Sequence, residues 1–219
     1  LSALYLDYKA LKHGMGIRVG RQSGQGGGVL GRFDGATASW MFKPKWKLGA
    51  VAGVPVVKVA DAKSHFYGLS LDADSLLPNF GSNVYVIQQM IDGEVDRRAV
   101  GVELRYFRPE STVFSNFEYD TLFKKLNVAS VTGTFTTAGN TVFNLLYDRR
   151  ATPLLMRGNA LFFPDPTLAS QPRSINELLA LKALPVVRQQ VRDTSAFTTQ
   201  ASAGFTTPIN ANWQAGADL

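Results

Sequence analysis

Along most of this chain, apolar and polar side chains alternate one for one. Val100, Val102, Leu104 and Tyr106 share one parity, while Gly101, Glu103 and Arg105 share the other. After the turn Arg108-Pro109-Glu110-Ser111, Val113, Phe117 and Tyr119 oppose Asn116, Glu118 and Asp120. Tyr67, Leu69, Leu71 and Ala73 alternate with Gly68, Ser70, Asp72 and Asp74. Trp46, Leu48, Ala50, Ala52 and Val54 alternate in the same way with Lys47, Gly49, Val51 and Gly53. A period of two sends successive side chains to opposite faces of a sheet. The pattern predicts about twelve strands, near 3–12, 15–22, 33–43, 45–55, 64–75, 82–92, 97–108, 111–121, 126–137, 141–150, 194–207 and 211–219. Most approach the roughly 9–11 residues that a tilted strand needs to cross a bilayer. Strands of soluble proteins average about 5–6.

The connections have a rhythm of their own. Tight turns fall at His13-Gly14, Lys43-Pro44-Lys45, Arg108 to Ser111, Thr137 to Asn140 and Thr207 to Asn210. These are odd-numbered connections. The fifth, Leu76 to Ser82, reads as middling. Even-numbered connections include three long ones, Ser23 to Leu30, Val56 to Lys63 and Ala151 to Asp193, and two modest ones at Gly93 to Asp96 and Leu122 to Lys125. In bacterial outer-membrane barrels short turns face the periplasm and long loops the exterior. The expected fold is therefore all-β, a transmembrane antiparallel β-barrel occupying 1–219 as one unit. The strand pattern still runs at residues 1 and 219, so the expectation is a portion of a larger barrel.

One stretch departs from alternation. Ser174 and Glu177 have capping-box spacing, and leucines and alanines follow. A helix is expected near 174–192 inside the long loop 151–193, interrupted around Pro185 and led in by Pro164, Pro166 and Pro172. A helix sealing its own apolar side over the barrel mouth is the preferred reading over a plug.

Composition narrows the chemistry. The 219 residues include no cysteine, which excludes disulfides and thiolate metal sites. No run of 18 apolar residues exists, so no transmembrane helix is supported. Mean hydropathy is −0.03, which a membrane barrel tolerates because half of each strand faces the lumen. The net charge of +6 would favour anions in a pore. No dense Lys/Arg run points to nucleic acid. The two histidines, His13 and His65, fall at opposite ends of the expected barrel, too far apart to share a metal. Ser64 beside His65 faintly evokes a lipid hydrolase, but strand neighbours point to opposite faces, and the chain is read as not an enzyme. Gly26-Gly27-Gly28-Val29-Leu30-Gly31 fits G-x-G-x-x-G, but a strand rather than a helix follows, so a loop tip is expected. No cofactor is expected.

The charged residues of the polar stripes are the candidate lumen lining: Asp7, Lys9, Arg18, Lys47, Asp72, Asp74, Glu103, Arg105, Glu118, Asp120, Asp148 and Arg150. A Lys or Arg on the lipid face at mid-bilayer costs about 2–4 kcal/mol, and that penalty decides their direction. They could select solutes, or form a salt-bridged wall that holds the interior together; for any single residue the wall is the preferred reading. Trp40, Trp46 and Trp213 lie beside short turns and are the candidate aromatic girdle, with Phe42, Tyr106, Phe107, Tyr119, Phe135 and Tyr147 as further strand-end aromatics.

The stretches Met15-Gly16-Ile17-Arg18-Val19-Gly20-Arg21-Gln22 and Gly28-Val29-Leu30-Gly31-Arg32-Phe33-Asp34-Gly35-Ala36 resemble porin-type outer-membrane barrels of Gram-negative bacteria. Asp96-Arg97-Arg98-Ala99-Val100-Gly101-Val102-Glu103-Leu104-Arg105-Tyr106-Phe107 resembles barrel domains that follow tetratricopeptide repeats in large envelope proteins. The terminal aromatic typical of such barrels and repeat helices are both missing from the sequence. The resemblance implies an outer-membrane location, with lipid bilayer and lipopolysaccharide as partners, together with other envelope proteins or remaining barrel strands. It implies a channel for passive passage or export of polar solutes or polymer. A structural outer-membrane anchor for a periplasmic or surface assembly is the second expectation. A soluble all-β binding domain, with its apolar stripes turned inward, is the third.

Overall fold

In a computed structural model the chain forms one antiparallel sheet of twelve strands in chain order: β1 (Leu4–Ala10), β2 (Met15–Ser23), β3 (Arg32–Lys43), β4 (Trp46–Pro55), β5 (Ser64–Leu77), β6 (Phe80–Ile91), β7 (Glu94–Arg108), β8 (Ser111–Asp120), β9 (Lys125–Thr136), β10 (Val142–Thr152), β11 (Ala196–Pro208) and β12 (Gln214–Asp218). The structure describes residues 2–24, 26–163, 166 and 170–219, with the backbone alone at 75 and 76; Pro164 of the expected lead-in lies outside them. The expected strands and the observed ones coincide to within a few residues. β1 and β12 are not paired with each other, so the sheet is open.

The connections are tighter than the sequence suggested at one point. β5 continues through Leu77 and β6 starts at Phe80, so the fifth connection is a two-residue turn rather than a middling loop. Asn79 takes the left-handed conformation there, with φ 65°, as Asn readily does in tight hairpins. The sixth connection is also a tight turn, with Asp92 at φ 51° and Gly93 at φ 86°. The long connections, 24–31, 56–63 and 153–195, all emerge from the same end of the sheet.

Registered pairing carries one parity across the whole sheet. Arg18 pairs with Asp7 and with Thr37, then Val51, Gly68, Ile87, Ala99 and Asp120 follow strand by strand. This face curls around a cavity of about 400 Å³ lined from β1 through β7. The opposite face carries Leu6, Ile17, Val19, Leu48, Leu69, Val86, Val100 and Leu145, all exposed, with Leu6 at 82% and Leu69 at 56%. Charged residues on that face sit near strand ends. Lys43 and Arg108 are terminal at the short-turn end, and Arg21, Asp34, His65, Arg98 and Arg149 lie towards the long-loop end. The middle of the face is free of formal charge.

Two apolar clusters are buried. One lies on the concave face: Phe33, Phe66, Tyr85, Ile87 and Ala99, with Val29 and Val51 against them. The other closes the long-loop end. There α1 (Ile175–Leu181) and α2 (Leu184–Thr194) bring Ile175, Leu178, Val187 and Val191 onto Ala62, Ile91, Phe123, Ala151 and Leu155. The helix expected near 174–192 is thus two helices. Ser174 caps the first, its Oγ accepting from the Glu177 amide at 3.2 Å. The break falls at Lys182 and Ala183, and Pro185 sits in the first turn of α2, where its missing N–H leaves nothing unsatisfied. The capping segment lies over the ends of the strands rather than running down the concave face.

Candidate functional site

All twelve charges of the candidate lining fall on the concave face, because the pairing register between the bulges preserves their parity from strand to strand. The structure joins them into small groups. Asp7 accepts from Arg18 at 2.9 Å and lies 3.9 Å from Lys9. Asp72 is shared by Lys47 at 3.2 Å and Arg105 at 3.3 Å, and Arg105 also reaches Asp74 at 3.1 Å. Asp148 accepts from Arg150 Nε at 2.6 Å on the same strand. These pairs are partly exposed and worth little individually to stability. Their placement is what counts. Asp7, Lys9, Arg18, Lys47, Asp72, Glu103 and Arg105 all border the cavity, so its wall mixes both signs.

Glu118 and Asp120 have a different role. Glu118 is buried and pairs with Arg97, which is only 1% exposed. Tyr85 donates its hydroxyl to Glu118 at 3.0 Å and Asn127 donates Nδ2 at 3.1 Å. Asp120 accepts the amides of Leu122 and Phe123 at 2.8 Å each, holding the β8–β9 turn. A buried charge persists only when paired and hydrogen-bonded, and this cluster meets that condition for Glu118.

The glycine loop between β2 and β3 folds onto this network. Arg97 Nη1 donates to the Gly28 carbonyl at 3.0 Å, and the Gly27 amide donates to Glu103 at 3.2 Å. Gly26, Gly27 and Gly28 all have positive φ, at 88°, 64° and 72°, and a Cβ on Gly28 would collide with the Tyr85 ring. Glycine is required there both for conformation and for close approach. The loop is therefore not a free tip, as its sequence suggested; it lies inside the concavity beside the cavity. β3 follows it, so the dinucleotide spacing has no helix behind it.

Residues that strand parity did not flag tie the capping segment down. A β-bulge between Gln89 and Met90 leaves Asp96 unpaired in the β6–β7 ladder, and another between Glu118 and Tyr119 does the same for Asn127. Both extra residues are buried. Asp96 accepts the Gly158 amide at 2.7 Å, and Asn127 accepts the Leu155 amide at 3.2 Å. Asp92 accepts the amides of Lys63 and Ile175, each at 2.8 Å. Arg157, 1% exposed, reaches Glu94 at 2.7 Å. Bulges re-aim side chains in this way. No sequence signal marks them. Arg97 could have been found by extending the parity of Arg105, Glu103 and Gly101 backwards.

Trp40, Trp46 and Trp213 all lie at the short-turn end, Trp40 and Trp213 exposed and Trp46 partly so. Phe42 bridges the first two, its ring centroid 5.8 Å from that of Trp40 and 6.4 Å from that of Trp46. Phe135, Phe143 and Phe205 follow at the same end in register. Tyr119 is a strand-end aromatic as expected, next to the last residue of β8, but at the long-loop end. Tyr147 is in mid-strand. Among the described residues no group of three or more His, Asp or Glu is placed to hold a metal. His65 faces outward on β5 and His13 belongs to the first short turn. No protein-family model matches the chain, and no curated protein matches it.

Proposed function

We propose that this chain is the wall of an outer-membrane β-barrel channel that passes polar solutes through its concave side. The observation that carries this reading is the exposed face opposite the cavity. Its middle is apolar and uncharged, one end is rimmed with aromatic rings, and the formal charges sit near strand ends. In water so much exposed apolar surface would be a liability; against hydrocarbon it is the stable arrangement, with every charged stripe turned to a polar lumen. The strand lengths and short-turn rhythm support the same reading, as does the residue-level resemblance to porin-type barrels. Polar solutes would pass the mixed-sign wall and the inward-folded 24–31 loop.

A second reading, a closed structural anchor, is favoured by the capping segment, which is fixed by buried contacts over one end. Planar-bilayer recording of the chain purified in detergent separates the two. Stepwise conductance is expected for the channel, and inserted protein without conductance supports the anchor. A chain that remains folded and monomeric in detergent-free buffer overturns both in favour of a soluble binding domain. Gly28→Val should enlarge the unit conductance, because its Cβ cannot share space with Tyr85 and the loop must lift away from the wall. An unchanged conductance would show that the loop does not limit flow.

A further inference from the structure

Towards the long-loop end of the outward face, Arg98 and Arg149 are two arginines that no carboxylate pairs with among the described residues; Arg32 and Arg108, likewise without a carboxylate partner, are the terminal residues of β3 and β7. Arg98 on β7 is exposed, and its Nε donates to Gln88 Oε1 at 2.7 Å. Gln88 in turn donates to the Tyr67 hydroxyl at 2.6 Å. This polar chain crosses three neighbouring strands on an otherwise apolar face, and it holds the Arg98 guanidinium in place without neutralising it. On β10, the Arg149 guanidinium lies over the Phe197 ring, 4.7 Å from its centroid. Arg21, on the same face, differs: Asp34 takes both its Nε and Nη2, each at 2.7 Å. Arg98 and Arg149 thus keep their positive charge and their free donors. Both sit towards the long-loop end, where the uncharged middle of the face gives way to polar residues.

We propose that Arg98 and Arg149 form a binding surface for phosphate-bearing lipid headgroups at the long-loop edge of the apolar face. The inference rests on the membrane reading above. Guanidinium groups match phosphate oxygens in charge and in fork geometry, and a lipid whose chains lie on Leu69, Val86 and Val100 brings its phosphate to this level. Each arginine near an anionic membrane surface strengthens association about fivefold.

The test is native mass spectrometry of the detergent-solubilised chain equilibrated with mixed phosphatidylglycerol and phosphatidylcholine micelles. The parent protein should retain phosphatidylglycerol preferentially. Arg98→Gln and Arg149→Gln should each reduce that preference about fivefold, Arg98→Lys should keep most of it, and Arg21→Gln should leave it unchanged. Added inorganic phosphate should not displace the lipid. Equal retention of the two lipids by the parent overturns the proposal, as does an equal loss in Arg21→Gln or displacement by free phosphate. In each of those cases the chain still needs detergent, so the channel reading survives. A chain stable without detergent defeats both together.

Discussion

Arg97→Ala should lower the unfolding free energy by about 3–5 kcal/mol, the cost of stranding a buried charge without its partner. Glu118 would keep the Tyr85 hydroxyl and the Asn127 amide, but neither neutralises it. The Arg97 bond to the Gly28 carbonyl would go as well, so the glycine loop loses an anchor at the same moment. Denaturant unfolding in detergent micelles, followed by far-ultraviolet circular dichroism, measures the loss. The double substitution Arg97→Met with Glu118→Leu removes both charges and should recover part of the stability, but not all of it, because the buried Tyr85 hydroxyl and Asn127 amide then lose their acceptor. An unshifted midpoint in Arg97→Ala would mean that the pair is hydrated and the concave wall open at that depth.

Leu178→Ala should release the capping segment while leaving the sheet intact. Leu178 is 1% exposed, in the cluster that joins α1 and α2 to the strand ends. Removing a buried leucine side chain costs about 2–5 kcal/mol. The eleven ladders of the sheet do not pass through it, so the loss falls on the docking of 153–195. Limited proteolysis should nick this segment at protease concentrations that spare the parent, with the β-sheet dichroism unchanged. If the cap obstructs the lumen, the same variant should conduct more. Resistance to protease equal to the parent's would show that the acceptors Asp92, Asp96 and Asn127 hold the segment without its apolar core.

The strands were legible in the sequence because the alternation is long, and because parity carries from strand to strand when pairing slips little. That is why Lys47, Asp72 and Glu103, far apart in sequence, could be assigned to one face from the pattern alone. Fidelity failed where the period changes. A bulge inserts one residue and resets parity locally, and Asp96 and Asn127 sit at two such places. The fifth connection looked longer than it is because Asn79 allows a two-residue turn between strands rich in polar residues. The inward fold of residues 24–31 was hidden for another reason: glycine runs permit many conformations, and only the presence of Arg97, Glu103 and Tyr85 across the sheet selects this one. Helix capping, a local interaction, was readable at Ser174 and Glu177. The docking of that helix onto Ala62, Ile91 and Phe123 was not, since those residues are distant along the chain.

The uninterrupted succession of neighbours from β1 to β12 also has a consequence in time. Each ladder can zip up from the turn that joins its two strands, with little loop entropy to overcome, except where 153–195 separates β10 from β11. The ties of the glycine loop span far more chain: Gly27 meets Glu103 across 76 residues and Gly28 meets Arg97 across 69. Hairpins should therefore mature first and the internal latch last, so a nascent molecule passes through a stage with its sheet assembled and its concave face not yet filled by the glycine loop.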